Sequence, residues 1–235
     1  MPRIDLNCDL GEGAGQDAEL MPLITSANIA CGAHAGDADT MRATIELAQR
    51  YKVAVGAHPS LQDRENFGRL EKAVWPDEVR LLVLTQTRLL QIIARQCGTS
   101  VTHVKPHGAL YNMAARDPEI ARAVAGAVLE ADPRLVLYGL AGSQLMAAGK
   151  AVGLRVAGEI FADRAYLEDG TLKPRNQPGA LIADARVAVA QVLRLVGAGA
   201  DTVCLHGDGP QAVFFARKLR EALAAARVEI KAFGA

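Results

Sequence analysis

The sequence predicts an α/β fold, a (β/α)7-type barrel of parallel strands, on three observations. Short apolar or β-branched runs alternate about seven times with longer segments of helical periodicity, an order typical of parallel strands joined by right-handed crossovers. No Pro- or Ser-rich linker divides the 235 residues, which favours one domain over residues 1–235. Ionisable residues end most of the predicted strands, as in barrel enzymes. A doubly wound open sheet is the alternative fold.

The strands are predicted from short runs of apolar and β-branched residues. These runs are residues 4–10, 25–30, 53–58, 101–105, 135–139, 155–160 and 202–206. The first connection, around residues 18–23, is short and holds at most a single turn. The last apolar run, residues 228–233, fits either an eighth strand or a tail packed outside the barrel.

The helices are predicted from apolar residues that recur with helical spacing. The segments are residues 38–51, 76–97, 118–131, 143–152, 179–196 and 210–226. Local signals support two of them. Pro76 precedes the acidic Asp77 and Glu78, and Pro118 follows Asp117, an arrangement typical of helix N-termini.

Composition argues against several classes of protein. Lys+Arg and Asp+Glu number 26 each and aromatic residues make up 4%, so the chain offers neither a basic field nor a stacking surface for nucleic acid. No apolar run approaches the ~18 residues of a membrane-spanning helix, and the N-terminus does not resemble a signal peptide. The four scattered cysteines include no CxxC pair and are typical of reduced thiols. We therefore expect a cytoplasmic protein.

Charged residues and histidines cluster at the predicted carboxyl ends of the strands, where α/β barrels place their chemistry. They are Asp9, Glu12, His34, Asp37, His58, Lys105, His107, Glu159, Asp163, Arg164, His206 and Asp208. Asp37 and Asp208 also precede helical segments and could serve only as helix caps. One subset is expected to meet in a single cleft: Asp9, His34, His58, Lys105, His107, Glu159 and His206.

Part of this set could hold a metal ion. Asp9, His58 and either His103 or His107 offer one carboxylate and two imidazoles, donors that bind Zn²⁺ and similar ions. The same imidazoles suit acid–base catalysis or substrate binding without a metal. Both interpretations stay open.

Lys105 and His107 are predicted to act on a substrate. They flank Pro106, and alternation along an extended segment sends both side chains to the same side. On this hypothesis Lys105 steadies negative charge on the reacting group, while His107 moves a proton or binds a metal. A core role for Lys105 would require a salt bridge to Asp9 or Glu159.

Two long polar loops, residues 59–75 and 165–178, are expected to act as lids. Their basic and amide side chains suit an acidic small substrate: Arg64, Asn66, Arg69, Lys173, Arg175 and Asn176. The Gly-rich turns at residues 139–143 and 206–210 could bind an anion through backbone N–H groups. Neither matches GxxxxGK[ST] or GxGxxG, so no standard nucleotide motif is present.

Long motifs run through nearly the whole chain. They are IDLNCDLGE at 4–12, SANIACG at 26–32, HAGD at 34–37, GAHP at 56–59, FGR at 67–69, HVKPHGALYN at 103–112, EIFADR at 159–164, PR at 174–175, QPGA at 177–180 and HGD at 206–208. In these motifs the chain resembles the LamB/YcsF family, whose members form the A subunit of the bacterial ATP-dependent 5-oxoprolinase. Ala33 and Ser60 depart from the family, where many members carry Phe and Gly, which affects the shape of the pocket but no ionisable group.

The resemblance implies cleavage of 5-oxo-L-proline to L-glutamate coupled to ATP hydrolysis. It also implies two partner subunits, related to the halves of a biotin-enzyme-like amide hydrolase, one of which could hold the ATP. The implied fold is a distorted TIM-like barrel of the glycoside hydrolase/deacetylase kind. We expect the isolated chain to show no appreciable turnover of 5-oxoproline.

The resemblance and the strand-end positions together assign candidate roles. The catalytic candidates are Asp9, Lys105, His107, Glu159 and His206. The substrate-binding candidates are Asn7, His34, Arg69, Tyr111, Asn112, Arg164, Arg175 and Asp208. A divalent metal would bind Asp9, His58 and His103, by similarity to the metal-binding Asp and two His of sugar deacetylases, in which the second His corresponds to either His103 or His107.

Two other functions remain as alternatives. A stand-alone metal-dependent hydrolase of the deacetylase kind is favoured by the fold alone. A non-catalytic subunit that captures 5-oxoproline and delivers it to its partners needs fewer ionisable groups than the strand ends provide.

Overall fold

The computed structural model describes residues 2–206, 209 and 211–234. Seven parallel strands close a barrel, because β1 pairs with both β2 and β7 and each remaining strand pairs with the next along the chain. These strands are β1 (Arg3–Leu10), β2 (Ser26–Ala30), β3 (Ala54–His58), β4 (Val101–Val104), β5 (Val136–Leu140), β6 (Arg155–Phe161) and β7 (Thr202–His206). A short β8 (Glu229–Ile230) pairs with the first residues of β1. The predicted barrel is confirmed.

Helices cover the outside of the barrel. Within the described residues they are α1 (Asp17–Leu20), α2 (Ala38–Tyr51), α3 (Pro76–Gln96), α4 (Gly108–Arg116), α5 (Pro118–Ala131), α6 (Gln144–Ala151), α7 (Ala185–Gly197) and α8 (Ala212–Ala225). A 3-10 turn at Met21–Leu23 follows α1. No helix in this part of the chain is long and apolar enough to cross a lipid bilayer.

Two helical elements differ from the sequence-based prediction. Helix α4 was missed, because Pro106 and Gly108 stand on either side of His107 at its start, and closely spaced proline and glycine are typical of a turn. Gly108 indeed has φ +56°. Helix α7 begins at Ala185 rather than at residue 179, because the preceding segment is held in an antiparallel bridge between Leu181 and Arg164. This bridge keeps the second long loop against the barrel.

The barrel has an apolar outside and a polar inside. Along β1, Ile4 and Leu6 belong to the main hydrophobic core, whereas the intervening Asp5 and Asn7 are buried polar residues. The inward side chains form hydrogen bonds with one another, which offsets the cost of burying them. At the amino-terminal end of the barrel, Asp5 accepts hydrogen bonds from four hydroxyl groups: Thr25, Ser26, Tyr138 and Thr202. Burial nevertheless raises the pKa of Asp5.

Candidate active site

A cavity of about 690 Å³ opens at the carboxyl end of the barrel. Ten of the residues predicted to form the site line it: Asp9, His58, Arg69, Lys105, His107, Tyr111, Asn112, Arg164, Arg175 and His206. Both loops predicted to act as lids form part of its wall, the first through Arg69 and Glu71 and the second through Arg175 and Asn176. Parallel pairing brings these strand ends to one edge of the barrel, where five of the seven residues expected to meet in one cleft line the cavity: Asp9, His58, Lys105, His107 and His206.

Lys105 lies at the floor of the cavity between two carboxylates. Its Nζ is 2.9 Å from Asp9 Oδ1 and 3.1 Å from Glu159 Oε1. It also lies 2.9 Å from Cys204 Sγ and 3.3 Å from Asn7 Oδ1. The salt bridges that a buried Lys105 would require are therefore both present, and they account for the burial of this residue.

The charges at the floor stabilise one another in their ionised forms. Burial would raise the pKa of Asp9, but His58 and Lys105 outweigh it and hold that pKa well below the usual range. Burial would lower the pKa of Lys105, but Asp9, Cys204 and Glu159 raise it well above the usual range. Asp9 is thus a fixed anion and Lys105 a fixed cation near neutral pH.

Three imidazoles and one carboxylate meet beside Asp9. This group, the histidine cluster, consists of Glu12, His34, His58 and His107. His58 Nε2 lies 2.9 Å from His107 Nδ1 and 3.3 Å from Asp9 Oδ2. His34 stacks on His107 with ring centroids 3.8 Å apart, and its Nε2 is 3.0 Å from Glu12 Oε1.

Two rings of the histidine cluster, His34 and His107, have lowered pKa values, mainly because they are buried. Burial lowers the pKa of His34, although Glu12 opposes the shift. Burial, together with His58 and His34, holds the pKa of His107 well below its usual range. These two rings are therefore neutral near neutral pH.

The first long loop fixes two of the imidazoles through consecutive left-handed residues, Phe67 (φ +55°) and Gly68 (φ +64°). The Phe67 carbonyl accepts a hydrogen bond from His107 Nε2 at 2.9 Å. A Cβ added at Gly68 would lie 2.9 Å from His34 Cβ and 3.0 Å from His107 Cδ2, so glycine is required for this close approach. Strained backbone of this kind often accompanies functional sites.

His206 and Asp163 form a hydrogen-bonded pair on the opposite side of the cavity. His206 Nδ1 lies 2.9 Å from both carboxylate oxygens of Asp163. Burial would raise the pKa of Asp163, but His206 outweighs it and the pKa is lowered. Because Nδ1 is held by the carboxylate, Nε2 is the nitrogen left for proton transfer with a ligand.

Arginines give the cavity wall a positive charge. Arg164 Nη2 donates to the Lys173 carbonyl at 2.7 Å, while its buried Nε has no hydrogen-bond partner in the described chain. Burial and the charge of Arg175 lower the pKa of Arg164 to about 10. Arg69 packs over the ring of Phe67 at 4.8 Å. An anion bound here would meet a guanidinium N–H that is already desolvated.

Some predicted residues lie behind or below the cavity. His34 and Glu159 are behind its wall, joined to lining residues by the contacts given above. Asn7 uses its amide to bind Glu159 and Thr202 and its carbonyl oxygen to accept from Asn28, so the prediction that it contacts substrate is not supported. Asp208 lies outside the described residues.

His103 does not join the other predicted metal ligands. Its Nε2 bonds Asn28 Oδ1 at 2.9 Å, and its Nδ1 bonds the Thr102 hydroxyl at 2.9 Å. The ring stacks on Tyr138 inside the barrel, and burial lowers its pKa to about 3. Because both nitrogens are engaged, the predicted set of Asp9, His58 and His103 is corrected, and the metal-type donors that assemble around His58 are those of the histidine cluster.

Sequence reasoning left several functional contacts unassigned. Glu12 was noted at a strand end but given no role, and Phe67 was only part of a motif. Ser60, which was expected to change only the shape of the pocket, bonds His34 Nδ1 through its hydroxyl at 2.8 Å. The sequence contained one indication of a role for Glu12: its carboxylate follows the end of a predicted strand by two residues.

The fold and the site define a protein of the α/β-barrel class, with its polar cleft at the end of the barrel where such enzymes carry out catalysis. Within that class, the chain belongs to the LamB/YcsF family, whose sequence model matches residues 4–235.

Relatives and solved structures agree with this assignment. The chain is 51% identical to the 5-oxoprolinase A subunit of Tolumonas auensis, covering 99% of this chain and 100% of the relative. It is 49% identical to the 5-oxoprolinase A subunit of Bacillus licheniformis, covering 99% of each. The crystal structure of a lactam utilization protein from Thermus thermophilus superposes with a TM-score of 0.91 at 44% identity, covering 98% of this chain and 100% of that one.

Proposed function

We propose that this chain is the A subunit of an ATP-dependent 5-oxoprolinase, which opens the lactam of 5-oxo-L-proline to give L-glutamate. The observation that carries the proposal is the ionised Asp9, held between Lys105 and His58 at the floor of an arginine-walled cavity. The names of the relatives, two 5-oxoprolinase A subunits and a lactam utilization protein, support the substrate class.

The cavity suits a small anion that carries a further group during the reaction. A volume of about 690 Å³ lies in the range of pockets that hold drug-sized ligands, so 5-oxoproline fills only part of it. The substrate carboxylate is placed against Arg164 and Arg175. The remaining space accommodates a phosphoryl group on the lactam oxygen, with Arg69 as the nearest cation of the first loop.

The chemistry divides between activation by ATP and proton transfer by this chain. The lactam oxygen attacks the γ-phosphorus and ADP leaves, which makes the lactam carbon more reactive toward water. His206, oriented by Asp163, takes a proton from the attacking water and delivers a proton to the ring nitrogen as the C–N bond breaks. Asp9 stabilises the imidazolium that forms, and Lys105 and Glu159 hold Asp9 in place. The acyl phosphate that results is then hydrolysed to the free carboxylate and phosphate.

The activity is proposed to require two partner subunits, at least one of which supplies the ATP-binding site. The support is twofold: the relatives are named as subunits, and this sequence contains no standard nucleotide motif. A cytoplasmic location is proposed because all four cysteines are free thiols, as expected in a reducing compartment.

The test compares this chain alone, the two partner subunits without it, and all three together, each with 5-oxoproline and ATP. We expect glutamate and ADP to appear in equal amounts only in the complete mixture. Efficient ATP-dependent cleavage by this chain alone would contradict the split site. A complete, assembled mixture without glutamate would contradict the function itself.

A matched variant separates a catalytic subunit from one that only binds substrate. Asp9→Asn keeps the shape of the side chain but removes the charge at the cavity floor. A catalytic subunit loses turnover while the three subunits still assemble and calorimetry still detects 5-oxoproline binding. Unchanged turnover would favour the non-catalytic alternative.

A further inference from the structure

The histidine cluster has the geometry of a metal site. One donor atom from each residue, namely Glu12 Oε1, His34 Nε2, His58 Nε2 and His107 Nδ1, lies within 4.8 Å of every other. From Glu12 Oε1 the distances to the His34, His107 and His58 nitrogens are 3.0, 3.4 and 3.8 Å. A tetrahedral ion with bonds of about 2.0–2.1 Å keeps its ligand atoms roughly 3.3–3.4 Å apart. The measured distances bracket that value.

The hydrogen bonds of two imidazoles show which of their nitrogens carry the proton. His58 Nδ1 lies 2.7 Å from the Lys105 carbonyl, and His107 Nε2 lies 2.9 Å from the Phe67 carbonyl. A carbonyl oxygen can only accept, so both of these nitrogens must donate. The other nitrogens of these rings, His58 Nε2 and His107 Nδ1, are turned toward the cluster and face each other at 2.9 Å.

The third imidazole is held between Ser60 and Glu12. His34 Nδ1 lies 2.8 Å from the Ser60 hydroxyl, and Nε2 lies 3.0 Å from Glu12 Oε1. A carboxylate, like a carbonyl, can only accept, so without an ion His34 Nε2 donates to Glu12. An ion bound between them would replace that proton, and the Ser60 hydroxyl oxygen can then accept from Nδ1. Outer hydrogen bonds of this kind orient the histidine ligands of metal ions.

We propose that the histidine cluster binds one divalent first-row transition-metal ion such as Zn²⁺, through Glu12, His34, His58 and His107. Imidazole and carboxylate donors without thiolate suit this class of ion. The site rests on geometry alone and does not depend on the proposed 5-oxoprolinase function.

A second group of metal-type donors, Asp9, Cys204 and His206, does not compete for the ion. The ammonium group of Lys105 already lies 2.9 Å from both Asp9 Oδ1 and Cys204 Sγ. A divalent cation there would be repelled by this fixed charge. Of these two groups of donors, the group of Asp9, Cys204 and His206 is therefore occupied by the lysine cation, and the neighbouring histidine cluster is the one open to a metal ion.

The position of the histidine cluster indicates what the ion would do. His58 and His107 line the cavity, whereas Glu12 and His34 lie behind them. An ion held by all four residues would reach the cavity wall and act as a Lewis acid toward a carbonyl or phosphoryl oxygen of the bound ligand. Asp9 stays with Lys105 and is not needed as a ligand.

The test measures metal binding directly on purified protein without an affinity tag. After treatment with a chelator, the protein is titrated with ZnCl2 by calorimetry and with CoCl2 by visible absorption. We expect one ion per chain, the absorption of four- or five-coordinate Co²⁺, and a Zn²⁺-dependent rise in Tm. Failure of the folded protein to bind either ion would overturn the proposal.

Variants identify the residues that hold the ion. Glu12→Gln and His34→Gln should each weaken Zn²⁺ binding by more than about 100-fold, whereas Ser60→Ala, which removes only an outer hydrogen bond, should weaken it by about 10–100-fold. His206→Gln is the matched control and should leave the affinity unchanged. Loss of binding in His206→Gln, with retention in the Glu12 and His34 variants, would overturn the assignment.

A measurement on the wild-type protein tests the same ligand assignment if a variant fails to fold. In the Co²⁺-loaded wild-type protein each ligand imidazole keeps one N–H hydrogen-bonded outward. Proton NMR should therefore show three paramagnetically shifted signals that exchange with solvent. Fewer than three would contradict coordination by His34, His58 and His107.

Discussion

The imidazole of His103 occupies the space that a side chain at Gly56 would need. A Cβ added to Gly56 would lie 2.0 Å from Nε2 of that ring. The two residues are paired across neighbouring strands, β3 and β4, at the level where the interior of the barrel is polar. The absence of a side chain on one strand is what allows a histidine of the next strand to cross toward Asn28.

Gly56→Ala should therefore destabilise the protein. The added methyl forces the His103 ring or the strand to move, and overpacking of this kind costs about 1–3 kcal/mol. Gly126→Ala is the control, because Gly126 lies within helix α5 with no atom within 4 Å of an added Cβ. This substitution should stabilise by about 0.5–1 kcal/mol. Urea denaturation measures both, and changes of the same sign would contradict the prediction.

The buried His103 should make stability depend on pH. Burial lowers its pKa from 6.5 to about 3 in the folded protein. Between these values the unfolded chain binds a proton that the folded protein does not, so the free energy of unfolding falls as the pH falls. The lowered pKa values of His34 and His107 act in the same direction. His103→Gln should reduce the slope of stability against pH in this interval, and an unchanged slope would show that His103 titrates normally.

The depth of residues in the barrel explains which parts of the site the sequence predicted. Each residue advances a strand by about 3.3 Å, so a residue two positions before the strand end lies about 7 Å deeper. Asn7 precedes Asp9 by two positions and His103 precedes Lys105 by two. The side chains of Asn7 and His103 point to the same side of their strands as those of the cavity residues but lie deeper in the barrel. There they form hydrogen bonds to Glu159 and Asn28 and not to a ligand.

The contacts that the sequence did not predict join residues that are far apart along the chain. Strand periodicity predicted the parallel barrel, and residue types at strand ends predicted most of the cavity lining. The pairing of Glu12 with His34 depends on how two loops fold, and so does the contact of Phe67 with His107. Alternation along one strand contains no information about either contact.

Removing the Lys105 charge should destabilise the protein strongly. Lys105→Met leaves Asp9 and Glu159 as buried carboxylates without their cation, and breaking a buried pair in this way costs about 3–5 kcal/mol. The pKa of Asp9 is lowered in the folded protein, so its contribution to stability is present above its usual pKa of 3.8 and is lost in acid. The pKa of Lys105 is raised, so its contribution is present below its usual pKa of 10.5 and is lost in base. Lys105→Met should therefore cost its full amount of stability near neutral pH, where both contributions are present.

A double-mutant cycle tests this explanation. Adding Asp9→Asn to Lys105→Met removes one unpaired charge and should recover part of the lost stability in urea denaturation. If the two substitutions are simply additive, the Lys105 ammonium does not stabilise Asp9.

The pair of His206 and Asp163 should control the proton-transfer step of the three-subunit complex. His206→Gln removes the acid–base group. In Asp163→Asn the new amide can donate to His206 Nδ1, so the ring proton moves to Nε2. His206 Nε2 can then no longer accept a proton. Each variant should lower kcat by about 10²–10⁴ with little change in KM for 5-oxoproline. Asp132→Asn, which alters a surface carboxylate paired with Arg134 just before β5, should leave kcat unchanged. Near-normal kcat in both His206→Gln and Asp163→Asn would exclude this pair from catalysis and transfer the proton step to the histidine cluster.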